Sequence, residues 1–206
     1  MVRYEQKRVA GVSNERWMRI GTTSALIGGG LLALIGVALH SVLNEAQFAV
    51  VDPLGVIAMI LLALGLPALY ARERRWFGTL AKVGFGMMAA GWIVAAVALP
   101  VAVYGPGIAF LGFLLGLLVA MVGALVFGVS ALRSDASELP RLGAWLLVAA
   151  LPVGLPVTVA FTGYVMGEFA DPWAGPMLLY GLAWIVFSHH LRTYQADAAN
   201  VEAVLQ

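Results

Sequence analysis

Six apolar runs, near 20–43, 54–71, 83–104, 107–132, 143–166 and 174–191, occupy most of this chain. Each is close to the roughly 20 residues a helix needs to cross about 30 Å of hydrocarbon. A backbone in lipid must satisfy its own amides and carbonyls, so the runs read as helices. The expected fold is all-α: a polytopic membrane protein whose single domain spans 1–206, with short cytoplasmic tails at 1–18 and 193–206. Composition agrees, since 62% of residues are hydrophobic and 11% charged, against about 45–50% and 25% in soluble domains. The first run is too long for a signal peptide and has no small-x-small pattern before Asn44, which makes it a retained helix.

Charge fixes the expected orientation. Arg3, Lys7, Arg8, Arg16 and Arg19 precede the first run, and Arg72, Arg74, Arg75 and Lys82 lie between the second and third. Arg133 and Arg141 follow the fourth and Arg192 follows the sixth, so all twelve basic residues fall on one side. The positive-inside rule makes that side cytoplasmic, with both termini inside. The other side carries Glu45, Asp52, Glu168 and Asp171. Aromatic belts fit the same frame: Trp17, Tyr70, Trp76, Trp145 and Tyr194 mark the inner boundary, and Tyr104, Tyr164 and Trp173 the outer one. The localisation this implies is a prokaryotic plasma membrane.

The inner boundaries repeat. Arg19-Ile20-Gly21, Lys82-Val83-Gly84 and Arg141-Leu142-Gly143 open the outgoing helices; Pro53, Pro106 and Pro172 begin the returning ones, which close on Arg72, Arg133 and Arg192. Three αα-hairpins are the implied unit. Asp52-Pro53 and Asp171-Pro172 place an N-cap acid before a proline at the first helical position. The middle hairpin turns through Tyr104-Gly105-Pro106-Gly107. Close helix contacts should rest on glycine, with Gly28, Gly29 and Gly36 on the first run, Gly84 and Gly91 on the third, and the GxxxG of Gly112 and Gly116 on the fourth.

Few residues offer chemistry. With no cysteine, thiolate ligands and thiol nucleophiles are excluded. A net charge of +1 and no Lys/Arg-rich block argue against nucleic acid as a partner. His40 and His189 fall at opposite faces, about 30 Å and 5 Å from the basic line, so they do not share a haem. No metal or cofactor is expected, the best remaining grouping for a cation being His40 with Glu45 and Asp52. Gly128-Val129-Ser130-Ala131 with His189 superficially resembles the serine and histidine of rhomboid-type intramembrane proteases. Here, however, Ser130 ends its helix at the boundary, alanine follows it, and the second run supplies no oxyanion pair. No ionisable residue stands at mid-depth, where a charge costs ~2.5–3.5 kcal/mol or more and marks function.

One irregular segment remains, Leu151-Pro152-Val153-Gly154-Leu155-Pro156, about 15–22 Å above the inner basic line. Its prolines leave the carbonyls of Val148 and Pro152 without their usual partners. Trp92, Tyr180 and Trp184 stand at similar depth. The candidate ligand pocket is therefore Trp92, Pro152, Gly154, Pro156, Tyr180 and Trp184, with Thr158 and Thr162 just above the break as orienting polar groups.

Gly65-Leu66-Pro67-Ala68-Leu69-Tyr70 running into a basic loop is similar to patterns in many small six-helix membrane proteins of bacteria and archaea, a likeness that implies no particular activity. The expected function is that of a non-catalytic accessory or scaffold subunit, because the distinctive features serve insertion and packing. The alternative is a binder or carrier of a small hydrophobic molecule such as a lipid, isoprenoid or pigment. The expected partners are the lipid bilayer, other membrane subunits or a second copy of the chain.

Overall fold

A computed structural model describes the backbone of residues 2–41, 43, 45–105, 107–167 and 171–204, and side chains from Arg16 to Thr193 apart from Tyr104 and the breaks. Pro106 and Glu168, and the side chains of Arg3, Lys7, Arg8, Tyr104 and Tyr194, thus lie outside the described residues. The elements are α1 (Val2–Ala38), α2 (Glu45–Glu73), a 3₁₀ turn at Arg74–Trp76, α3 (Thr79–Tyr104), α4 (Ala109–Arg133), α5 (Arg141–Ala150), α6 (Gly154–Ala160), a π-helical continuation at Phe161–Met166, and α7 (Ala174–Val204). The described residues contain no strand. Both expected tails are helical over their described backbone, as extensions of α1 and α7.

Among the described residues, four helical stretches are long and apolar enough to cross a membrane: Arg16–Ala38, Glu45–Trp76, Thr79–Val103 and Ala109–Arg133. A fifth exists if Arg141–Ala150 and Gly154–Met166, inclined at 57°, act as one broken span. In α7 the apolar run is diluted by Gly175, Pro176, Ser188, His189 and His190.

Packing closes the helices into a ring in the order α1, α2, α3, α4, α5, α7 and back to α1, with α6 lying on α7. Small residues seven apart set the tight contacts. Gly84 and Gly91 of α3 meet Gly123 and Gly116 of α4, where a Cβ on Gly84 would lie 2.6 Å from the Phe127 nitrogen and one on Gly116 2.7 Å from that of Ala95. Backbones this close gain dispersion that leucine against lipid does not. On α4 the effective pair is therefore Gly116 with Gly123, not the GxxxG, since a Cβ on Gly112 would meet only Ala98 at 3.5 Å.

Gly28 and Gly29 also divide their work. Gly28, with Gly21, faces α2 near Ala58 and Ala68, while Gly29, with Gly36, faces α7 near Gly181 and Ala174. Neighbouring helical residues point about 100° apart, so one glycine pair brings α1 against two helices.

The start of α2 differs from expectation. It begins at Glu45, which leaves Pro53 inside the helix rather than at its first position. Glu45 in the first turn suits the positive helix end, and a proline eight residues in is tolerated where other groups receive the freed carbonyl. Asp171 does act at a helix entrance, its Oδ1 accepting the Trp173 N–H at 2.8 Å ahead of α7.

Candidate functional site

The three mid-depth aromatics expected around a pocket are brought together, but they fill their own space. Trp92, Tyr180 and Trp184 are fully buried. The Trp92 indole N–H is donated to the Tyr180 phenol oxygen, their ring centroids lie 4.9 Å apart, and Trp184 follows at 6.3 Å from Tyr180.

The bend in the fifth apolar run is present, with its prolines turned outward. Pro152 and Pro156 are exposed, whereas Gly154, Thr158 and Thr162 form a buried strip. Around the prolines the ladder continues through Val153 N–H to the Ala149 carbonyl at 3.0 Å and Val157 N–H to the Val153 carbonyl at 3.0 Å. The buried strip packs on the start of α7 and the end of α1 instead of on the aromatic trio. Thr158 Oγ1 accepts the Gly175 N–H at 2.8 Å, donates to the Gly154 carbonyl at 2.9 Å and lies 3.3 Å from His40 Nε2. Thr162 spends its hydroxyl on the Thr158 carbonyl at 2.9 Å. Both threonines thus anchor α6 locally. His40 is held by this contact and by its Nδ1 at 2.7 Å from the Gly36 carbonyl. Among the described residues, no three His, Asp or Glu side chains converge as a metal site would need.

The open space lies at the same end of the bundle as the buried strip but on the other side of α7. A cavity of about 270 Å³ is lined from α1 by Leu32, Ile35 and Leu39, and from α2 by residues including Phe48, Asp52, Gly55 and Met59. Leu99 of α3, Phe110, Phe113 and Leu114 of α4, and Asp171, Trp173 and Met177 at the entrance of α7 complete it. Five elements make the wall and α6 contributes no residue. The reason is geometric. Gly175, which receives α6, and Met177, which faces the cavity, lie on opposite faces of α7, because two residues turn a helix through about 200°. None of the eight residues expected from sequence lines this space. Its members recur at helical spacing, as Phe48, Val51, Asp52, Gly55 and Met59 do on α2, and a face that lines a space has the same spacing as one that packs a core; the two Asp-Pro entrances were the available signal.

A second polar cluster lies at the opposite end. Glu73 is 2% exposed. Its Oε2 accepts the Trp76 indole N–H at 2.6 Å, while Oε1 faces Arg72 Nε at 3.4 Å and His190 Nε2 at 3.7 Å. Arg72 also donates to Glu138 at 2.9 Å, which joins the end of α2, the α4–α5 loop and α7. Beside it Phe77 inserts among Tyr70, Trp76, Phe85 and Phe127, with ring centroids 4.9–5.7 Å from its own. Sequence reading passed over Glu73 as one acid among arginines. That isolation, at the level of His190, was the clue.

Comparison with family models, curated proteins and solved structures finds no match to this chain.

Proposed function

We propose that this chain is a six-span membrane protein, built as three αα-hairpins with both termini cytoplasmic, that holds a small hydrophobic molecule in the cavity between α1, α2, α3, α4 and α7. The observation that carries the reading is the cavity itself: about 270 Å³ of mostly apolar space walled by five elements of the ring. Support for six crossings comes from the segregation of all twelve basic residues, with α7 as the sixth. The accessory-subunit reading keeps the scarcity of bond-making groups as its support. The cavity moves the balance to a binder or carrier, with its site displaced from mid-depth toward the acidic face.

Gly55 provides the test. A Cβ there would lie 3.5 Å from Leu99 Cδ2, at the cavity wall, so Gly55→Leu fills the space without driving helices apart. Protein purified in mild detergent should carry a small hydrophobic molecule detectable by mass spectrometry, and Gly55→Leu should lose it while eluting as the same species. A wild-type protein that carries nothing, or a variant that retains the same cargo, would overturn the proposal.

A further inference from the structure

Resting on that reading, we infer that the cavity takes an organic cation: an apolar body carrying an amine or quaternary ammonium head. Among the described residues of the lining, Asp52 and Asp171 are the charged ones, and four aromatic rings, Phe48, Phe110, Phe113 and Trp173, stand in the same wall. Ring faces carry negative potential and attract cations, most strongly when the cation has shed its water, which is how aromatic cages hold quaternary ammonium groups. Asp52 and Asp171 are half-buried, and a carboxylate partly withdrawn from water is favoured by an opposite charge. No lysine or arginine stands among the described residues of the lining.

The alternatives fit less well. An anion would be repelled by both carboxylates. A bare divalent cation asks for six or more oxygen ligands, and an apolar wall with two carboxylates does not furnish them. An organic cation uses all three parts at once: carboxylates for charge, rings for the ammonium shell, and Leu32, Ile35 and Met59 for its tail. Asp171 is held in place, because one of its oxygens accepts the Trp173 N–H at 2.8 Å. The space, roughly that of nine liquid waters, suits a head group with a short chain.

Calorimetric titration of the purified protein with hexyltrimethylammonium, 1-hexanol and hexyl sulfate separates the possibilities. The expected result is saturable binding of the cation at least about tenfold tighter than the alcohol, with the sulfate weakest. In the double variant Asp52→Asn/Asp171→Asn, cation binding should fall to the level of the alcohol while alcohol binding persists. Asparagine still caps the start of α7, and unchanged elution and alcohol binding report an intact fold. Equal binding of cation and alcohol in the wild type, or a preference that survives the double variant, overturns the inference and leaves the apolar-binder reading standing. Absence of binding by all three probes defeats that reading as well. Repeating the titration in phosphatidylethanolamine and phosphatidylglycerol nanodiscs identifies the source of the cation. Competition by the former alone points to a lipid head group, and no competition by either points to a free amine.

Discussion

The Trp92 indole N–H is donated to the Tyr180 hydroxyl across the centre of the bundle, between helices that stand opposite each other in the ring: α3 touches α2 and α4, while α7 touches α1 and α5. Removing the acceptor leaves a buried donor stranded, at a cost of about 1–3 kcal/mol, whereas removing both partners costs less than the sum of the single losses. Tyr180→Phe should therefore lower the melting temperature in detergent, and Trp92→Phe/Tyr180→Phe should recover part of the loss beyond what addition of the two single effects predicts. Strict additivity would mean that the bond contributes nothing.

Glycine substitutions should separate by position. Gly91→Ala and Gly116→Ala push a methyl group into the facing backbone, an overpacking worth about 1–3 kcal/mol. A Cβ on Gly86 meets nothing within 4 Å, so Gly86→Ala should be neutral or stabilising, since alanine is the better helix former. Thermal melts of the three variants provide the comparison, and equal effects would remove the close-contact argument.

Single cysteines at Ala46 and Ala136, both exposed positions in a chain with none of its own, test the orientation. An impermeant thiol reagent on intact cells should label Ala46→Cys and spare Ala136→Cys until the membrane is opened. The reverse pattern would invert the topology.

Glu73 and Glu138 share Arg72 but should differ in weight. Glu138 is 72% exposed at its side chain and Glu73 2%. Exposed pairs contribute about 0–1 kcal/mol, so Glu138→Gln should barely move the melting temperature. Glu73→Gln removes a buried counter-charge, which costs up to about 3–5 kcal/mol where no second partner remains. Because Glu138 still holds Arg72, the effect should fall below that limit yet exceed that of Glu138→Gln.

Sequence reading reached what repeats or accumulates along the chain. Apolar length located the helices, and depth counting brought Trp92, Tyr180 and Trp184 to one level, where they do meet. The glycines of α3 were legible by their spacing of seven. What stayed hidden depends on the angle between helices. Depth alone does not say whether three aromatics at one level surround a space or fill it, and here the glycine contacts draw the ring tight enough that they fill it. The prolines told of a bend but not of its direction, which is set by Thr158 meeting Gly175, partners 17 residues apart. Pro53 misled because a proline can begin a helix or sit within one, and Glu45, Gln47 and Asp52 interrupt the apolar residues ahead of it.

Six equal rods in a closed ring surround a gap as wide as a seventh, so a bundle of this shape has a potential bore along its axis. In this protein the Trp92–Tyr180 crossbar joins opposite members of the ring, α3 and α7, across that axis. The cavity of about 270 Å³ takes no residue of that crossbar into its wall. On the proposed reading, a molecule held there faces the crossbar rather than an open conduit. On that reading, passage of such a molecule across the membrane would require the Trp92–Tyr180 crossbar to break and α3 and α7 to part.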